Sequence, residues 1–220
     1  QWALRPPDVE YLPEDKIYVY FTSGTTGKPK AIVGQNKSLQ HFITWEIETF
    51  SIGEDTRVSQ LITPGFDAFL RDVFVALGAG GTICIPADKN IVLDPETLSQ
   101  WVESQRINLV HCVPSVFRLL VSDRLTGENF PHLKHVLLSG EAIPHAMLET
   151  WYKGIGERVQ LVNFYGPSET TMIKMYYLIR KEDLKRERIP IGQPMKGCRV
   201  VILDENNKVC DQQVTGELYI

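Results

Sequence analysis

Between Arg57 and Phe164, short β-type runs alternate with amphipathic helical segments, joined by short loops. No other feature of the chain constrains its fold as much. Strands separated by helices cannot pair as tight hairpins, so they assemble into a parallel sheet with helices packed on its faces. The strand runs are Arg57–Ile62, Gly81–Ile85, Ile107–Cys112, His135–Leu138 and Val159–Phe164. Between them, Phe66–Leu77 places Phe66, Phe69, Leu70, Val73, Phe74 and Leu77 on one helical face. Asp94-Pro95 opens a second helix, with a capping side chain before a first-turn proline, that runs to Gln105. Ser115–Val121 and Pro144–Tyr152 are the remaining two helices. Upstream, Lys16–Phe21 and Ala31–Val33 form a hairpin, and Ser38–Phe50 is a helix with Leu39, Phe42, Ile43, Ile47 and Phe50 at helical spacing. Downstream, Ile173–Arg180, Arg199–Leu203 and Glu217–Ile220 are strands without crossover helices, a second, β-rich layer.

The expected fold is therefore α/β, a parallel sheet flanked by helices in βαβ units and followed by a smaller β-rich segment. It divides into a lead-in and hairpin with helix (1–53), a βαβ subdomain (54–172) and the β-rich segment (173–220). The chain starts at Gln1 without an initiator methionine and stops within a strand pattern at Ile220, so it reads as a piece of a longer protein. An apolar content of 43% with 23% charged residues excludes a disordered tail or a collagen-like repeat. With 23 basic against 27 acidic residues the net charge is −4, without the basic footprint of a nucleic-acid binder. No apolar run reaches the roughly 18–20 residues that span a bilayer, so no membrane partner is expected. Cys84, Cys112, Cys198 and Cys210 show neither CxxC nor metal spacing and read as packing thiols of a cytoplasmic protein.

On parallel sheets, ligands bind beyond the carboxyl ends of the strands. Three loops there, or in the hairpin, carry chemistry. Thr22-Ser23-Gly24-Thr25-Thr26-Gly27-Lys28-Pro29-Lys30 combines glycines, hydroxyls and two cations, a pattern suited to phosphate. It lacks Walker A spacing, since two residues separate the glycines and Pro29 follows Lys28; a plain polar hairpin loop is the alternative. Asn163-Phe164-Tyr165-Gly166-Pro167-Ser168-Glu169-Thr170-Thr171 follows a strand. Tyr165 can stack on a base, Asn163 can bond an exocyclic amine, Ser168 and the threonines can donate to phosphate, and Glu169 suits Mg²⁺; a turn with a capping serine is the alternative. In Ser139-Gly140-Glu141-Ala142 the small residues let a flat ring lie on the backbone, or the segment is only a strand-to-helix loop. Asp67, opening an apolar helix, has the ordinary alternative of pairing with the helix dipole.

Taken in order, these strings resemble the adenylate-forming superfamily and, more narrowly, the amino-acid-activating adenylation domains of nonribosomal peptide synthetases. The resemblance rests on residues 20–30, Phe66-Asp67-Ala68, residues 163–171, Ile189-Pro190-Ile191-Gly192-Gln193-Pro194 and Gly216-Glu217-Leu218-Tyr219-Ile220, and it covers nearly the whole chain. It implies ATP and Mg²⁺ as cofactors and attack of a carboxylate on the α-phosphorus, followed by acyl transfer to the phosphopantetheine thiol of a carrier domain. A condensation domain is the further partner implied. By resemblance, Thr22 through Gly27 with Lys28 and Lys30 hold the β- and γ-phosphates. Tyr165 with Gly166 and the Gly140-Glu141-Ala142 backbone enclose adenine, with Asn163 on its amino group. Ser168 stands where a threonine is more usual and meets the α-phosphate, and Glu169 is the Mg²⁺ ligand. Asp67 pairs with the α-ammonium of the substrate, and Ala68, Arg71, His111, Leu137, Ser139, Phe164, Met172 and Ile173 form the rest of the pocket wall. Arg71 with His111 points to a polar or acidic substrate, unless Arg71 turns to solvent and pairs with Asp72 or nearby glutamates. The family's ribose-binding aspartate and catalytic lysine match nothing in the 220 residues, so the piece alone is expected to be inactive. An acyl- or aryl-CoA ligase, or a non-catalytic docking remnant, is the alternative function.

Overall fold

The computed structural model describes residues 9–22 and 28–220. Strands β1 (Lys16–Thr22) and β2 (Lys30–Gln35) form an antiparallel hairpin, with Thr22 opposite Lys30. Helix α1 (Asn36–Phe50) follows at once. Then β3 (Arg57–Ser59), α2 (Ala68–Gly78), β4 (Thr82–Cys84), α3 (Pro95–Ser104), β5 (Leu109–Cys112), α4 (Pro114–Leu120), β6 (His135–Ser139), α5 (His145–Gly154) and β7 (Gln160–Tyr165) realise the expected alternation. Asp94 caps α3 by accepting from the Thr97 amide at 2.8 Å, ahead of a first-turn proline.

The central sheet has the order β4-β3-β5-β6-β7, all parallel. It continues past residue 172. β8 (Met175–Ile179) lies antiparallel to β7, and β9 (Gln193–Pro194) antiparallel to β8, giving seven strands. The β-rich segment expected from residue 173 onward is thus divided. Its first two strands extend the main sheet, and only β10 (Val201–Leu203) with β11 (Glu217–Tyr219) forms a separate pair. A strand returning through a tight turn needs no crossover helix, so β8 could add to the same sheet antiparallel to its predecessor.

Because strand side chains alternate, each central strand feeds two cores. Val110, Cys112, Val136, Leu138 and Leu161 face α3, α4 and α5, around Phe117 and Trp151. Leu109, Leu137, Val162 and Phe164 face α1 and α2, around Phe42 and Val75. Trp45 of α1 is in ring contact with Phe50, Phe164 and Tyr176, at centroid separations of 5.0–6.0 Å. Each such pair adds about 0.5–1.5 kcal/mol beyond area burial, and together they clamp α1 over the ends of β7 and β8.

Helix α2 departs from its expected face. Its buried residues are Arg71, Asp72, Val75 and Ala76, whereas Phe66, Phe74 and Leu77 are exposed. Of that stripe, Leu70 and Phe74 line a groove with Ile43 and Ile47 of α1 and Ile17 and Tyr18 of the hairpin. Two charged side chains on the sheet side of α2 are therefore the first sign that this face serves more than packing.

Candidate active site

A cleft of about 610 Å³ opens at the carboxyl ends of β6 and β7. One wall is Gly140, Glu141 and Ala142, another is Asn163 through Pro167, and residues 187–191 close a third side. Gly140 has φ +90°, a backbone state that L-residues resist, and it lets the chain turn flat against the cleft. The Glu141 carboxylate points elsewhere. It accepts from the Ser115 amide and hydroxyl, both at 2.9 Å, at the start of α4. What this segment offers the cleft is therefore backbone and small side chains. The Asn163 amide nitrogen donates to the Pro190 carbonyl at 2.8 Å, which leaves its Oδ1 as the acceptor for an exocyclic amine. Tyr165 lines the same cleft with 41% of its surface exposed, a ring free to stack.

The turn after β7 is strained. Thr171 and Met172 have φ of +68° and +56°, unusual for non-glycine residues and especially for a β-branched one. Lys174 holds the turn closed, with Nζ donating to the Thr171 carbonyl at 3.0 Å and its amide donating to the Tyr165 carbonyl at 2.9 Å. Gly166 makes this closure possible, because a Cβ there would stand 2.1 Å from the Met172 carbonyl oxygen. Gly166→Ala is expected to cost about 1–3 kcal/mol, the usual size of an overpacking defect. A urea midpoint equal to that of the parent protein would refute this closure.

The hairpin sits against this turn. The Tyr18 hydroxyl donates to Thr171 Oγ1 at 3.2 Å. Burial raises the phenol pKa of Tyr18 and of Tyr20, and the nearby charge of Asp67 raises both further. Thus β1, Thr171 and Asp67 converge on one region. Asp67 caps α2 through Oδ1, which accepts from the Ala68 amide at 2.9 Å. Its Oδ2 is buried and accepts nothing among the described residues. A dipole-pairing carboxylate on the surface would have kept that oxygen in water.

Leu137, Phe164, Met172 and Ile173 fall into one buried cluster, and Ser139 is buried at the end of β6. Ala68 is half-buried at the start of α2. Arg71 does not turn to solvent. It is fully buried, with its guanidinium carbon 5.8 Å from the centre of the Phe164 ring. His111 is also fully buried, but it faces protein rather than a cavity. Nδ1 lies 3.1 Å from Asp72 Oδ1, and Nε2 lies 2.6 Å from Glu46 Oε1. Both ring nitrogens are taken, so His111 cannot be the polar wall group that its position implied.

Glu46 was not identified from sequence, and Asp72 was named only as a partner for a solvent-facing Arg71. The signal was present for Glu46, which stands four residues after Phe42 and four before Phe50, inside the apolar stripe of α1. Burial, partly offset by Arg71, pushes the Glu46 carboxyl up to about 8. Burial and the Arg71 charge push His111 down to about 4. At neutral pH the contact is therefore a neutral hydrogen bond, with protonated Glu46 donating to Nε2 and Nδ1–H donating to Asp72. The second Asp72 oxygen accepts from the Leu61 and Ile62 amides, both at 3.2 Å.

Ser23, Gly24, Thr25, Thr26 and Gly27 lie outside the described residues. Thr22, Lys28 and Lys30 flank them, and both lysines are exposed. Ser168 and Glu169 lie in a short 3-10 turn, Glu169 exposed. Among the described residues no group of three or more His, Cys, Asp or Glu converges on a metal-sized site. An exposed lone carboxylate fits Mg²⁺ only as an ion shared with phosphate oxygens, the usual arrangement for that cation.

A family model described as AMP-binding enzyme matches residues 2–220. The chain belongs to the AMP-binding enzyme family. It is 33% identical over 220 residues to a dimodular nonribosomal peptide synthase of Bacillus subtilis, covering 100% of this chain and 9% of that protein. It is 32% identical over 211 residues to an L-proline–[L-prolyl-carrier protein] ligase of Streptomyces coelicolor, covering 94% of this chain and 39% of that one. PA1221, a nonribosomal peptide synthetase protein with adenylation and PCP domains, superposes with a TM-score of 0.81 at 26% identity, over 98% of this chain and 42% of its own. The chain thus spans less than half the length of these members of the AMP-binding enzyme family. Among the described residues no helix is long and apolar enough to cross a membrane.

Proposed function

We propose that this chain supplies the nucleotide platform and amino-acid pocket of an enzyme that uses ATP to convert an amino acid into its aminoacyl-adenylate for loading onto a carrier domain. One observation carries the reading: the buried Oδ2 of Asp67, which has no hydrogen-bond partner among the described residues and lies beside the hairpin and the tyrosine turn. A buried carboxylate oxygen with no partner among the described residues is a site for a ligand donor, and the α-ammonium of an amino acid is a charged one. Fatty and aryl acids lack that group, which disfavours the acyl-CoA ligase alternative.

In the proposed reaction a substrate carboxylate oxygen attacks the α-phosphorus of ATP, the bond to the β-phosphate oxygen breaks, and pyrophosphate leaves. Two anions must meet, so positioning and charge neutralisation supply most of the rate. The Gly140–Ala142 backbone and Tyr165 hold adenine, and Asn163 Oδ1 accepts from its amine. The hairpin loop with Lys28 and Lys30 takes the terminal phosphates, and Ser168 donates to the α-phosphate. Mg²⁺ held by Glu169 would neutralise phosphate charge when bound. The acyl group then passes to a carrier thiol with release of AMP.

The test is exchange of labelled pyrophosphate into ATP by the full-length protein that contains this chain. Amino acids are expected to support exchange, and fatty and aryl acids are not. Exchange driven by fatty or aryl acids alone would sink the proposal.

A further inference from the structure

The guanidinium of Arg71 is the least explained charge in the molecule. Nε, Nη1 and Nη2 are all buried, and none donates a hydrogen bond among the described residues. Buried arginines normally use their planar fork on a carboxylate. Here the neighbouring acids are otherwise engaged. Asp72 accepts from His111 and two backbone amides and makes no hydrogen bond to Arg71. Glu46 is held in its neutral form by burial and so offers no counter-charge. Asp67, one helical turn earlier on the same face, forms no ion pair with Arg71 despite suitable spacing. Among the described residues, Arg71 and Asp67, one turn apart on α2, thus each keep buried polar atoms without a hydrogen-bond partner, and Arg71 reaches the cleft through Phe164, which lines it.

We infer that Arg71 receives a carboxylate on the side chain of the substrate, so that the amino acid activated is an acidic one. This rests on the amino-acid-activating reading and names its substrate class. Asp67 would take the α-ammonium and Arg71 the distal carboxylate, so that the buried polar atoms of both find partners. The apolar surfaces of Phe164 and Met172 suit the methylenes between them, and Phe164 is common to the Arg71 contact and the cleft wall. His111 takes no part in contact with the side chain, since both its nitrogens are occupied.

The full-length protein is to be assayed by pyrophosphate exchange with aspartate, glutamate and the dicarboxylic homologue one methylene longer, against asparagine, glutamine, leucine and lysine. One dicarboxylic amino acid is expected to exceed its neutral isostere about 100-fold in kcat/KM, the usual scale for a buried charge-assisted pair. Arg71→Leu should erase that ratio. Arg71→Lys, which keeps the charge and loses the fork, should recover part of it through KM. A neutral or cationic amino acid as the preferred substrate overturns the inference while leaving amino-acid activation standing, and an acidic-to-neutral ratio unchanged in Arg71→Leu does the same. Exchange with none of the amino acids overturns both. The preference of the unmutated protein decides the question even where Arg71→Leu does not fold.

Discussion

Asp67→Asn is expected to lower amino-acid-dependent pyrophosphate exchange by about 10²–10³-fold while leaving the fold intact. The variant keeps an oxygen to accept from the Ala68 amide, so the cap on α2 survives. It loses the negative charge, and a substrate ammonium would then be buried without its partner. Truncating one side of such a pair costs about 2–5 kcal/mol, and the expected loss corresponds to the middle of that span, about 3–4 kcal/mol. The loss should lie in kcat/KM and vanish for a substrate analogue that lacks the α-amine, because the missing interaction is then absent from both proteins. A variant that still exchanges pyrophosphate at the parental rate with its best amino acid would show that Asp67 is only a cap. Unfolding in urea, expected to show no loss of stability because the substitution removes a buried charge while keeping the cap, separates a pocket effect from a folding defect.

Local chemistry made the site loops readable. Gly140, Gly166 and the Asn163–Thr171 string announce turns whose purpose follows from their place after strands, and the structure sets both segments on one cleft. Helix rotation was harder. Each residue turns about 100° around α2, so an apolar stripe headed by Phe66 and Phe74 looked like the buried face. The true buried face carries Arg71 and Asp72. Asp72 is buried against a distant segment, since His111 of β5 lies 39 positions away. Glu46 was hidden for the same reason, since its partner is 65 positions away. The antiparallel return of β8 depended on the turn at Thr171 and Met172, whose positive φ values no propensity argument supplies.

The Glu46–His111–Asp72 chain ties α1, β5 and α2 together beneath the pocket, and it predicts a pH signature. In the unfolded chain Glu46 titrates near 4.5 and His111 near 6.5; in the folded state these become about 8 and about 4. Between pH 4.5 and 6.5 each state holds one proton on the pair, on His111 when unfolded and on Glu46 when folded, so the pair contributes no slope. Above 6.5 the folded state holds one proton more, and stability falls by about 1.4 kcal/mol per pH unit until Glu46 ionises near 8, about 2 kcal/mol in all. Arg71 opposes the Glu46 shift, as does His135 more weakly, and neither reverses its sign. Glu46→Gln supplies a neutral donor to Nε2 at every pH. It should remove the alkaline decline and introduce an acid one between pH 6.5 and 4, where only His111 still titrates. His111→Ala strands both carboxyl groups and should cost about 3–5 kcal/mol at neutral pH. Unfolding free energies measured from pH 4.5 to 8.5 decide the matter: parallel curves for the parent and Glu46→Gln would mean that the two groups do not share a proton, and a loss below about 1 kcal/mol in His111→Ala would mean that water reaches them.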